Sequence, residues 1–193
     1  MVWTIKESNL LTAIKKGSIS EINQAIQDGA NVNAKDKDGW TPLMFACAKK
    51  ASKEVIELLI AKGANVNAKI NDGWTPLMLA CVKKASKEVI KLLIAKGANV
   101  NAKDNAGWTP LMFACAKKAS KEVIELLKEA QFTALKADLA KSEQKNAKLE
   151  ADLEKSKQKI DEQNAQIAYN NFQAKKKEKQ RMTNLMLGRF RHK

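Results

Sequence analysis

Residues 39–69 read GWTPLMFACAKKASKEVIELLIAKGANVNAK. The string returns at 73–103 with three changes, Phe45/Leu79, Ala48/Val82 and Glu57/Lys91, and residues 107–127 repeat 39–59 without one. Gly39-Trp40-Thr41-Pro42, Gly73-Trp74-Thr75-Pro76 and Gly107-Trp108-Thr109-Pro110 stand 34 residues apart. A fixed period of this size is the first thing to settle, because it marks stacked supersecondary units. Within a unit, Thr41 suits an N-cap and Pro42 the first helical position, where a missing N–H is harmless. LMFACA then predicts a short apolar helix, and KKASKE a polar turn. Ser52 caps a second helix with Glu54 in its first turn, favourable against the helix dipole. Val55, Ile56, Leu58, Leu59 and Ile60 form its apolar side. Gly63 ends it in the left-handed conformation that glycine tolerates, and ANVNAKDKDG leads as a turn-rich arm to the next unit.

One helix pair of this size cannot bury its own apolar face; stacked pairs can, and the result is a solenoid. The T-P-L start, the two apolar helices and GANVNAKDKDGWTPL together resemble the ankyrin repeat, over roughly residues 5–127. Three features depart from that family's pattern. Its TPLH histidine is Met44, Met78 or Met112. Its usual Gly-His between the helices is Lys and Ala with one residue added, which accounts for a period of 34. Its Asp before the turn is Asp36 and Asp104 but Ile70 in the middle copy. A diverged unit precedes these three. SNLLTAIKKGSISEINQAIQDGANVNAK predicts two helices divided by Gly17, with Ser18 and Glu21 as a capping box. It lacks the TPL start and carries Asn23, Gln24 and Gln27, as an end cap facing solvent should.

The third copy deletes the stop. VIELL is followed by KEAQFTALKADL, and no Gly or Pro occurs between Leu127 and Gly188. Strong helix formers predict one helix from about 120 to about 185. Its apolar residues recur by sevens. With Phe132 at position a, that series holds Leu139, Asn146, Leu153, Ile160 and Ile167, and position d holds Leu135, Ser142, Leu149, Ser156 and Gln163. The a series is good and the d series poor. The candidate coiled-coil core is therefore Phe132, Leu135, Leu139, Asn146, Leu149, Leu153, Ile160 and Ile167. An Asn at a single a position favours a two-stranded register. The alternative is a solvated single helix held by i,i+4 charge pairs.

The expected organisation is all-α: a solenoid over 1–127 (units about 5–36, 37–69, 71–103 and 105–127), a helical stalk over 128–173, and a basic tip over 174–193. The net charge of +14 is unevenly placed. Residues 128–173 carry eight basic and eight acidic side chains, whereas 174–193 carry eight basic and one acidic. Lys175, Lys176, Lys177, Lys179, Arg181, Arg189, Phe190 and Arg191 make the tip, which suits a nucleic-acid backbone, an anionic membrane surface, an acidic protein groove, or a merely solubilising tail. The N-terminus shows no basic start followed by a long apolar run, and no segment approaches a membrane span. Cys47, Cys81 and Cys115, one per unit, are no disulfide framework, so a cytoplasmic location is expected. Each sits in a small apolar setting that predicts burial, and Met44, Met78 and Met112 read as core fillers.

Resemblance to the ankyrin family implies that Trp40, Trp74 and Trp108 lie on an exposed partner-facing rim and that Lys49, Lys83 and Lys117 line the concave side. Duplication of one structural tryptophan and a plain solvated lysine face are the competing readings. The one histidine, His192, is near the C-terminus, so no His-based triad or metal pair is available to the solenoid. No glycine-rich phosphate loop is present. The expected function is a non-enzymatic, cofactor-free adaptor or scaffold that binds a protein through the solenoid and oligomerises or docks through the stalk. The alternative is a structural subunit of a larger assembly, such as a ribonucleoprotein, anchored by its basic tip.

Overall fold

The structure, a computed structural model, describes residues 3–190, and of these the side chains of all but 165, 168 and 179–190. Among the described residues the regular elements are helices: α1 Ile5–Lys16, α2 Ile19–Gln27, α3 Pro42–Ala48, α4 Lys53–Ala61, α5 Pro76–Val82, α6 Lys87–Ala95, α7 Pro110–Ala116 and α8 Lys121–Phe190. Internal contacts divide the chain into two units, Met1–Lys136 and Ala137–Lys193.

In the first unit the short helices form as the caps dictate. Thr41, Thr75 and Thr109 accept the N–H of Met44, Met78 and Met112, and Pro occupies the first turn each time. Ser52 and Ser86 accept from Val55 and Val89. Successive pairs stack, so Leu43, Met44, Ile56, Leu59, Leu77, Met78, Ile90 and Leu93 are fully buried in one continuous core. Removing such side chains from water is the main favourable term.

The arms between pairs carry a second, polar register. Asn33 Nδ2 donates to the Gly63 carbonyl while its Oδ1 accepts from Asn65 N–H, both at 2.8 Å. Asn67 does the same one repeat later with Gly97 and Asn99. Each asparagine thus clamps the helix end of the next repeat through both amide functions. Further out, Asn71 N–H donates to the Asp38 carbonyl and Asn105 N–H to that of Asp72. The arms approach so closely here that a Cβ on Gly73 would lie 2.7 Å from Asn105 Oδ1, and its φ of +84° is already glycine's.

Four features differ from the sequence expectations. The capping box belongs to α1, not α2. Thr4 and Glu7 cap one another, and Glu7, buried, also accepts from Asn31 N–H at 3.1 Å; these hydrogen bonds hold its carboxyl below the usual range. Ser18 does accept from Glu21 N–H, but the Glu21 carboxylate turns to Lys16 Nζ at 2.9 Å. Second, Met112 is exposed, where Met44 and Met78 are buried. Third, Cys115 is exposed, while burial pushes the Cys47 and Cys81 thiols up to about 12. The cause is common to both: within the first unit no further repeat follows to cover α7. Fourth, packing continues past Leu127. Ala130 and Ala134 lie against the core, and Gln131, which stands where a fourth glycine stop would be, donates Nε2–H to the Val100 carbonyl.

The turn between the paired helices is closed by lysine. Lys50, Lys84 and Lys118 have φ of 55°, 52° and 51°. Around the first of them, Lys50 N–H donates to the Cys47 carbonyl and Ala51 N–H to that of Ala46, the paired bonds of a Schellman stop whose left-handed residue is usually glycine. The same bonds recur at Lys84 and Lys118.

Three outcomes follow. Lys84→Gly should raise stability to denaturant by about 0.5–1 kcal/mol, because relief of left-handed strain exceeds glycine's added unfolded-state freedom; a loss of stability would show that the lysine stem contributes packing instead. Asn67→Ala should destabilise by about 1–2 kcal/mol, whereas Asn101→Ala, whose side chain clamps no following repeat, should shift stability by less than about 0.5. A thiol reagent should label one cysteine of the native chain quickly, with peptide mapping placing the label on Cys115, and reach Cys47 and Cys81 only on unfolding.

Candidate partner-binding groove

Two adjoining grooves run where the arms meet the first helices of each pair. One, of about 390 Å³, is lined by Trp3, Asp36, Trp40, Phe45, Ala48, Lys49 and Lys83. The other, of about 560 Å³, is lined by Asp38, Trp40, Ile70, Asn71, Asp72, Trp74, Leu79, Val82 and Lys83. They share Trp40 and Lys83.

Local hydrogen bonding sets the tryptophans in place. Asp36 Oδ1 accepts from Asp38 N–H and Trp40 N–H at 2.9 and 2.8 Å, and Asp36 N–H donates to the Trp40 carbonyl. Asp104 closes the Trp108 turn in the same way. In the middle copy Ile70 keeps only the backbone bond to Trp74 and contributes an apolar wall to the groove. Trp74 packs against Phe113 of the next repeat with ring centroids 4.8 Å apart, and Trp108 meets the same ring at 5.3 Å. Trp40 and Trp74 are half-buried, and Trp108 is 42% exposed. Trp40 and Trp74, which also pack against the core, are thus both structural supports and groove walls.

Of the residues singled out from sequence, Trp40, Trp74, Lys49 and Lys83 come together. Trp108 and Lys117 line neither groove. Lys49 Nζ lies 5.6 Å from the Phe45 ring centroid, within cation–π range. Among the described residues, Lys49, Lys83 and Lys117 form no ion pair. The grooves also recruit Trp3, Asp36, Asp38, Phe45, Asp72 and Leu79. A signal for Phe45 and Leu79 was in the copies themselves: Phe45/Leu79 and Ala48/Val82, two of the three changes between repeats, both fall on groove walls.

On α8, the seven apolar candidates Phe132, Leu135, Leu139, Leu149, Leu153, Ile160 and Ile167 are all more than half exposed, and Asn146 is exposed. Lys175, Lys176 and Lys177 are exposed as well. The side chains of Lys179, Arg181, Arg189 and Phe190, and Arg191 as a whole, lie outside the described residues. Among the described residues no group of three or more His, Cys, Asp or Glu side chains is placed to hold a metal ion, and no helix is long and apolar enough to cross a membrane.

The family model described as ankyrin repeats (3 copies) matches residues 10–104 and 69–138. No curated relative matches the chain. Domains of this kind are generally protein–protein interaction modules and typically non-catalytic. With paired helices stacked at a 34-residue period, left-handed stops and a matching family model over most of its length, the chain belongs to the ankyrin-repeat family.

Proposed function

We infer that the chain is a non-enzymatic adaptor whose grooves take a segment of a partner protein and whose long helix docks against another helix. The observation that carries the first half is where the copies differ. In a pair of repeats otherwise nearly identical, two of three substitutions fall on corresponding walls of the two adjoining grooves, Phe45 and Ala48 in one and Leu79 and Val82 in the other; the third, Glu57/Lys91, is exposed. Leu79 is also buried in the core and Phe45 and Val82 pack against it, so the changes alter the packing beneath the wall as well as its shape. The groove chemistry supports the class of ligand. Trp40 and Trp74 offer large, rigid apolar surface of the kind that dominates binding energy. Lys49 and Lys83, which form no ion pair among the described residues, offer positive charge beside it. Asp36, Asp38 and Asp72 line the same grooves, so an acidic residue is oriented toward the lysines rather than steered by a net positive field. A segment with apolar anchors and a flanking Asp or Glu fits both.

A random peptide library selected on the full-length chain tests this. The selected peptides should combine an aromatic or aliphatic anchor with an acidic residue. Their affinity should fall by about 10-fold or more in Trp40→Ala and in Lys83→Glu, with Lys62→Ala as the unaffected control. Removal of 174–193 should leave that affinity unchanged. Peptides that bind all these variants equally would remove the groove reading. Binding that vanishes with 174–193 and falls steeply with salt would favour the basic tip as the site.

A further inference from the structure

We propose that the helix docking against the second unit of α8 is α8 of a second copy of this chain, parallel and in register. The inference rests on the adaptor reading only in taking the apolar stripe of α8 as a docking face; the occupant is argued from the stripe itself.

The stripe needs a cover. Leu139, Leu153, Ile160 and Ile167 recur on a seven-residue spacing, with Leu149 beside them, and all are more than half exposed in the single chain. A lone helix would need compensation from charge pairs along its surface. Among the described residues of α8 there are only two, Lys128–Glu125 and Lys157–Glu154, both three residues apart and solvent-exposed; such pairs contribute little.

The polar residues choose the partner and its direction. Parallel, in-register pairing places every a residue opposite its own copy. Asn146 then meets Asn146, where the two amides can hydrogen-bond, and Ser142, Ser156 and Gln163 likewise meet themselves rather than leucine. The flanking positions place Lys145 against Glu150 and Asp152 against Lys157, with Asp138 against Glu143 as the one unfavourable pair. Antiparallel pairing sets the a series against the d series in every register. With Asn146 opposite Gln163 the charges are favourable, Asp152 against Lys159 and Glu150 against Lys157, but Leu139 then faces Asn170, Leu153 faces Ser156 and Ile167 faces Ser142, so apolar layers that parallel pairing keeps are lost. The register that opposes Asp138 to Lys159 and Lys145 to Asp152 buries Asn146 against Leu149, faces Leu139 and Leu153 with Ser156 and Ser142, and sets Glu143 against Glu150. Sliding one copy so that Asn146 meets Ser142 sets Asp138 against Asp152 and Lys145 against its own copy. Sliding it the other way, to Ser156, sets Lys145 against Lys159 and Asp152 against its own copy. Like charges directly opposed suppress these last three registers, and the mismatched layers disfavour the first. The seam ends near Ala174, since the next d position is Lys177.

The test uses the full-length chain with Cys115→Ser, to remove the exposed native thiol, and a single added cysteine, Ser142→Cys or Ser156→Cys. Sedimentation equilibrium should give twice the 21.4 kDa of the chain. Under mild oxidation each variant should form a disulfide with its own copy, because both positions face themselves only in the parallel register. Ile160→Asp should weaken dimerisation by about 100-fold or more while leaving peptide affinity at the groove unchanged. A chain that stays monomeric up to its solubility limit overturns the proposal, and so does a dimer in which neither cysteine links to itself. The groove reading is scored separately by peptide affinity, so either can fail without the other.

Discussion

A helix pair of this length has more apolar surface than it can hide, and only the next pair can hide it. That constraint organises the first unit. It explains why Met44, Ile56, Met78 and Ile90 are fully buried although their helices are short and their sequences modest. It also explains why the same residue type changes environment at the end of the stack: Met112 and Cys115 occupy the positions of Met44 and Cys47 and are exposed. Burial here is a property of the neighbour, not of the residue. Stacked repeats derive stability from interfaces between nearest neighbours for the same reason.

Apolar burial is itself non-directional, and close packing of side chains alone carries no hydrogen-bonded register between the arms. The asparagine clamps supply it. Asn33 and Asn67 each tie two backbone groups of the following repeat, and directional bonds to both amide functions tolerate little sliding. The chain abandons this device where α8 runs on. Gln131, in place of the glycine, sits inside a helix and has no terminal carbonyl to offer Asn101; it reaches back to Val100 instead. Continuing the helix and clamping the repeat are alternatives, and the third copy uses the first.

Most of this architecture was legible in the sequence because repetition makes each local signal appear three times. Thr-Pro caps, Ser caps and glycine stops fell where expected. Reading by analogy between copies failed where the copies' surroundings differ, at Met112 and Cys115, since an identical string says nothing of what stacks on it. The Ser18–Glu21 box was read from a spacing that permits it; Glu21 had a lysine within reach, and an exposed carboxylate takes the partner that is a charge. Lys50, Lys84 and Lys118 at positive φ were legible only as a missing glycine. Of the groove, the tryptophans and lysines could be named from sequence, but which of them converge could not, because Trp3 and Phe45 reach it from separate elements.

The two halves of the chain solve one problem differently. In the first unit an apolar face is covered by the next repeat along the same chain. On α8 the period of the apolar residues is seven, and a period of seven matches a helix only when a second helix winds beside it. The polar insertions in that stripe are then informative rather than defective. Asn146, Ser142 and Ser156 weaken any pairing, but they weaken mismatched pairings more, and so exchange strength for a defined direction. A shallow groove gains from such an arrangement. If the stem pairs as proposed, two grooves on it would bind a repeated or dimeric partner with an avidity that neither groove has alone, and no contact in the groove need change.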